Sequence, residues 1–234
     1  MNILHKIQEA FKGLTFQEKG HKYTVDGVKI EKSVSSLIHS FYEPFDSDYH
    51  SARIAERDGR TQAEVLKEWK DINDESIERG HRVHLFGERY QDDRTLTPSC
   101  NQELALTKFW ADLPPYIVPV GAEIRMYHYI KKFAGTSDIL LYNMLNGTYI
   151  IADYKTNKDL YKNFKGKTML PPFEDLLDCP LSHYEVQLSY YQILLEQIPG
   201  IKISRRIVIW LLMNGEYSVI DTRDFTDRLK TQMR

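Results

Sequence analysis

Between residues 116 and 154 the chain reads as four short β-rich runs, 116–120, 122–129, 136–142 and 148–154, with Asn146-Gly147 marking a turn between the last two. Such runs must pair into a sheet, and the flanking sequence must cover it. Upstream, residues 51–90 are charged and free of proline. They carry apolar residues at helical spacing, namely Ala63, Leu66, Trp69, Ile72, Ile77, Val83 and Phe86. A polar break follows at 92–99, and a helix over 102–112 is closed by Pro114-Pro115. At the start, residues 2–11 predict a short amphipathic helix. Runs 14–18, 21–25 and 28–30 predict strands, with a tight Asp26-Gly27 turn. The serines of 32–38 stand where a helix can begin, with Leu37 and Ile38 inside it. Downstream come a lysine-rich loop over 156–179, an amphipathic helix over 182–197, a hairpin of 203–214 and 216–222 about Asn214-Gly215, and a short charged tail over 225–234. This order predicts an α/β chain with a central mixed β-sheet flanked by helices and an N-terminal helical layer.

The 234 residues suit one domain, with N-terminal strands and helices in 1–115, the core in 116–222 and a tail in 223–234. At 42% hydrophobic and 27% charged residues the chain can bury a sizeable core. A net charge of -2 excludes a general cationic coat for nucleic acid, so any such binding needs a local basic patch. Two distant cysteines, Cys100 and Cys179, cannot hold an iron–sulfur cluster and read as reduced thiols. Without a long apolar run or presequence the expectation is a cytoplasmic protein with no membrane contact.

The chemistry concentrates around two strands. Asp138 begins one, and Asp153 and Lys155 end the next. Residues two apart on a strand share a face, so Asp153 and Lys155 point the same way. The antiparallel turn can return Asp153 beside Asp138. An Asp-x-Lys triplet alone is common on exposed strands, but here the apolar run 149–152 precedes it and reads as buried. Two hard carboxylates suit Mg²⁺ or Mn²⁺. Such a cation polarises a phosphoryl oxygen and activates water for in-line attack, and an adjacent lysine neutralises charge in the transition state.

The pattern Gly135-x-x-Asp138, then a hydrophobic strand ending Asp153-Tyr154-Lys155-Thr156, then a helix carrying Gln187, Leu188 and Tyr191, resembles the RecB-type exonuclease branch of the PD-(D/E)xK nuclease superfamily. Upstream, Gly80, His84 and Glu88 resemble that branch's Gly-x-x-x-His-x-x-x-Glu helix. More loosely, the chain is similar to phage and mitochondrial single-strand exonucleases. Ser137 stands where the name-giving motif has proline, and no phosphate-binding helicase loop is present.

The resemblance implies a restriction-endonuclease-like core and a metal-dependent deoxyribonuclease cutting single-stranded or end-containing DNA. It implies Asp138, Asp153 and His84 as metal ligands. Lys155, Gln187 and Tyr191 would complete the catalytic set, with Glu123 and Glu88 as further acidic positions. Other readings are a structure-specific or restriction-like endonuclease, and a silent DNA-binding module on the same fold. Recombination or replication proteins would be partners, in a bacterial or phage-infected cell. Candidate DNA contacts are His81, the hydroxyls of Ser33, Ser35 and Ser36, and Lys158, Tyr161, Lys162, Phe164 and Lys165 in the loop after the catalytic strand.

Overall fold

The computed structural model describes residues 3–18, 20 and 22–233. Asn2 and His21, which the sequence assigns to a helix and a strand, and Arg234 of the tail lie outside the described residues. Helix α1 (Ile3–Ala10) leads into a small antiparallel sheet of β1 (Leu14–Gln17), β2 (Lys22–Val25) and β3 (Val28–Ile30). Asp26 and Gly27 turn between β2 and β3 with positive φ, as their sequence predicts. Strand β4 (Lys32–Ser33) follows, and then α2 (Val34–His39), α3 (Ser47–Asp58), α4 (Gln62–Asp92) and α5 (Asn101–Ala111). The helical run expected over 51–90 is thus two helices. Gly59 ends the first in the left-handed region, and Thr61 and Glu64 form a capping box on the second.

The main sheet contains β5 (Ile117–Tyr127), β6 (Phe133–Asn143), β7 (Thr148–Lys155), β8 (Ile203–Leu211) and β9 (Tyr217–Asp221). Strands β5–β6, β6–β7 and β8–β9 pair antiparallel, β7–β8 pair parallel, and β4 runs parallel to the start of β6. The protein is therefore a mixed α/β fold with a mixed sheet between helices. The runs 116–120 and 122–129 merge into β5, because the break between Pro119 and Gly121 is a bulge rather than a turn.

Alternation along β7 divides the core. Tyr149 and Ile151 join a cluster with α1, α2 and α6 (Pro180–Leu195), whereas Ile150, Ala152 and Tyr154 join one with α4 and α5. Two sequence readings are corrected here. Helix α6 is not amphipathic, since eleven of its residues are buried, Glu185, Ser189 and Gln192 among them. Their polar groups are satisfied locally: the Glu185 carboxylate accepts from Arg223, and Gln192 accepts from Arg206. The charged tail is helix α7 (Thr226–Gln232), docked on α6 through buried Phe225 and Leu229. Apolar residues that sparse carry too weak a period to be read. Cys100 and Cys179 are free thiols. Among the described residues no helix is long and apolar enough to cross a membrane.

Candidate metal centre

The edge of β6 opposite β5 is shared. Strand β4 pairs with Phe133 and Ala134, and β7 pairs from Ile139 onward. The stretch from Gly135 to Asp138 lies between them, where the sheet opens. Gly135 fits this opening because Tyr191 and Val34 press on it: a Cβ there would lie 2.7 Å from the Tyr191 ring. At the end of the opening Tyr154 donates its backbone N–H to Asp138 Oδ2 at 2.7 Å. The carboxylate continues the ladder that stops at Ile139–Ala152.

Register brings a third acid into line. Ala122 faces Ile139 and Ile124 faces Ser137, so Glu123 stands across from Asp138. Glu123 has a φ of 49°, a left-handed conformation costing a non-glycine residue ~1–2 kcal/mol. Such strain is found where a site holds it in place. From the helical layer, His84 Nδ1 lies 3.2 Å from Asp138 Oδ2. Gly87, one turn further along α4, makes this approach feasible. A Cβ there would lie 2.6 Å from the Tyr154 ring, so only glycine lets α4 lie this close to β7.

His84, Glu123 and Asp138 each offer a ligand atom, all within 4.8 Å of one another. Asp153, 2% exposed, is instead tied to Lys155. Of the expected ligands, His84 and Asp138 come together with Glu123, which the resemblance offers as a further acidic position, and Asp153 follows in register beside Asp138 and pairs with Lys155. Burial and the Asp138 charge push the Asp153 carboxyl up to about 6, against the pull of Lys155. Burial, with the Asp138 charge, pushes Glu123 up to about 7; Glu88 adds to this from α4. Burial also opposes charge on Asp138, but His84 and Lys155 outweigh it and hold that carboxyl below its ordinary range. Burial disfavours the His84 imidazolium, yet Asp138 wins and raises it. Lys155 follows the same logic, with burial overcome by Asp153, Tyr184 and Asp138.

These carboxylates crowd one another, and two of them resist ionising. A cation held among His84, Glu123 and Asp138 would relieve that repulsion. The cluster does not distinguish one such metal from another. Gln187 donates to the Tyr191 hydroxyl at 2.9 Å, and its Oε1 is buried with no hydrogen-bond partner among the described residues. A buried acceptor without a donor is costly, and a bound group with water around it would supply one.

Residues the sequence did not single out also shape the site. The Lys155 ammonium sits 4.4 Å over the Tyr184 ring. Tyr184, Gln187 and Tyr191 follow helical spacing, so a stripe through the two expected residues would have found it. Gln102, buried on α5, donates to the carbonyls of Thr156 and Leu211, where β7 and β8 end. Tyr23 from the small sheet meets Thr136 at 2.9 Å. No local sequence signal marks either contact.

The remaining candidates lie outside this cluster. Ser33 and Ser36 cap α2 reciprocally, and Ser35 is half-buried beside them. Both hydroxyls are engaged in that capping. His81 is exposed on α4, away from the line of His84. Lys158, Tyr161, Lys162, Phe164 and Lys165 are all exposed on the loop after β7. Set against known proteins, the chain matches no family model and no curated protein.

Proposed function

We propose that this chain is a metal-dependent deoxyribonuclease that hydrolyses phosphodiester bonds, acting from DNA ends. The observation that carries the reading is the row of Glu123, Asp138 and Asp153 across three adjacent strands, with Lys155 beside Asp153 and His84 above Asp138. An ordinary surface ion pair needs neither the burial nor the strained backbone at Glu123.

His84, Glu123 and Asp138 would hold the cation, with Asp153 at its edge. Mg²⁺ or Mn²⁺ bound there would supply Lewis acidity toward a phosphoryl oxygen and lower the pKa of a bound water. The chain's own residues supply the rest. Lys155 is kept as the ammonium by Asp153 and sits where negative charge must be offset. Asp153 orients it, and Tyr184 closes its other side. Asp138 is fixed by the Tyr154 N–H, so the ligand row is set before substrate arrives. Hydrolysis adds water across one P–O bond and leaves a phosphomonoester and a free hydroxyl. End-dependent cutting rests on the resemblance of the motif order to RecB-type exonucleases.

The test is cleavage of end-labelled linear single-stranded DNA, linear duplex and covalently closed circles, with Mg²⁺, Mn²⁺ or EDTA, beside Asp153→Asn. Loss of linear DNA with circles intact, only with metal and only in the wild type, is expected. Cut circles would replace the exonuclease by an endonuclease. Folded wild-type protein that cuts nothing would overturn the reading in favour of a binding module.

A further inference from the structure

Two groups of aromatic rings lie along the loop after β7, one beside Lys155 and one against the helical layer. Tyr184 lies under the ammonium, and its hydroxyl donates to Asn157 Oδ1 at 2.8 Å. Trp210 donates to the Asn157 carbonyl at 2.7 Å, and Tyr161 meets the Trp210 ring edge-on at 6.2 Å. Three residues on, Phe164 meets His50 edge-on at 5.8 Å, and His50 stacks on Phe45 at 4.9 Å with the rings nearly parallel. Phe45 and Phe164 thus come together from segments more than a hundred residues apart.

Packing alone does not account for these rings. Phe45 keeps 66% of its surface in water, Phe164 60% and Tyr161 56%. Each exposed ring forfeits much of the stabilisation that burial would bring, and contiguous exposed apolar surface marks a binding site. Cations border these rings. Lys158, Lys162 and Lys165 are exposed and, among the described residues, form no ion pair; Lys167 is engaged with Glu43 at 2.6 Å. The Lys165 ammonium lies 5.2 Å from the Phe164 ring centre.

Rings that offer flat faces, alternating with free ammonium groups, match a chain of unpaired bases and phosphates. A duplex keeps its base faces stacked inside and cannot use them. We infer that Tyr161, Phe164 and Phe45 form a stacking platform for single-stranded DNA leading to Lys155, with Lys158, Lys162 and Lys165 on its phosphates. The inference rests on the nuclease reading and deepens it: the platform selects the single strand, and the acidic row cuts it.

Binding can be separated from cutting by working in EDTA. Fluorescence anisotropy of a labelled oligothymidine and of a labelled duplex would be measured with wild type, Phe45→Ala/Phe164→Ala and Phe45→Trp/Phe164→Trp. The alanine pair should weaken single-strand binding roughly ten- to a hundredfold, leave duplex binding unchanged, and keep the salt dependence. The tryptophan pair should restore affinity. Should the alanine pair not fold, photocrosslinking of iodouracil-containing DNA to the wild type should label the peptides holding Phe45 and Phe164. Unchanged single-strand affinity in a folded alanine pair, crosslinks elsewhere, or tighter binding of oligouridine than of oligothymidine would overturn the platform. Metal-dependent cleavage would survive each of those results. Single-strand binding with no cleavage under any metal would instead remove the nuclease reading.

Discussion

Asp138 Oδ2 accepts the Tyr154 N–H at 2.7 Å and lies 3.2 Å from His84 Nδ1, so one carboxylate joins two strands to a helix. Removing it acts on fold and chemistry together. Asp138→Ala should abolish metal-dependent cleavage and destabilise the protein by about 1–3 kcal/mol, because a buried N–H loses its acceptor. Asp138→Asn keeps an oxygen for that N–H. It should lose activity as fully while retaining most of the stability, as urea denaturation in EDTA beside a cleavage assay would show.

The packing of α4 on β7 makes a second prediction. A methyl group at Gly87 meets the Tyr154 ring at 2.6 Å and Leu106 at 2.9 Å. Tyr154 cannot swing away freely, because its hydroxyl accepts from the Trp110 indole at 2.8 Å. Gly87→Ala should therefore cost about 1–3 kcal/mol. It should also shift His84 from Asp138 and weaken divalent-cation binding. Calorimetric titration with Mn²⁺ tests the second effect, and a tighter-binding variant would contradict it.

How much of this was readable in the chain depends on where each signal lies. Asp138, Asp153 and Lys155 sit on strands whose alternation and Asn146-Gly147 turn are local, so their meeting followed from spacing. Glu123 did not, because its place depends on a bulge and a left-handed residue in β5. Periodicity assumes a regular strand and cannot foresee that. Helix α6 misled for a related reason: its polar residues are met by arginines of the 203–223 segment, Glu185 in an ion pair with Arg223 and Gln192 in a hydrogen bond from Arg206, partners a single helix cannot display. The same holds for Phe45 and Phe164, which only tertiary structure brings together.

Acid should stabilise the metal-free protein modestly. Glu123 is raised to about 7 and Asp153 to about 6, both above their ordinary carboxylate values. The folded state then binds more protons than the unfolded one between about pH 4.5 and 7. Their contribution is fully present below the unfolded values and is lost as pH rises through 6 to 7. Asp138, depressed, works the other way, but its effect falls below its ordinary range, outside this window. In EDTA the melting temperature should fall from pH 5 to pH 8. Glu123→Gln should flatten part of that slope. Divalent cations must displace these protons, so binding should tighten with pH and release protons, measurable in buffers of different ionisation enthalpy.

Lys155→Ala should slow the chemical step by about 10²–10³ while leaving DNA affinity within a few-fold. It also strips buried Asp153 of its counter-charge. The carboxyl of the variant should consequently rise further, and the activity that remains should need a higher pH. Single-turnover rates against pH would separate this from a loss of binding, which would appear in the anisotropy assay instead.

Gln102 offers the sharpest division between holding a site and belonging to it. Its side-chain amide reaches the Thr156 carbonyl at 3.1 Å and the Leu211 carbonyl at 2.9 Å, clamping β7 just beyond Lys155 to the end of β8. It touches none of the ligand cluster. Gln102→Ala leaves the buried Leu211 carbonyl without this donor and should cost about 1–3 kcal/mol. Metal affinity should hold, because Asp138, Glu123 and His84 are anchored elsewhere. The cleavage rate should drop, because the backbone carrying Lys155 is freed at one end and a small displacement of a charge-stabilising group is costly. A Gln102→Ala protein with wild-type rate and lowered metal affinity would place the clamp on the wrong side of the site.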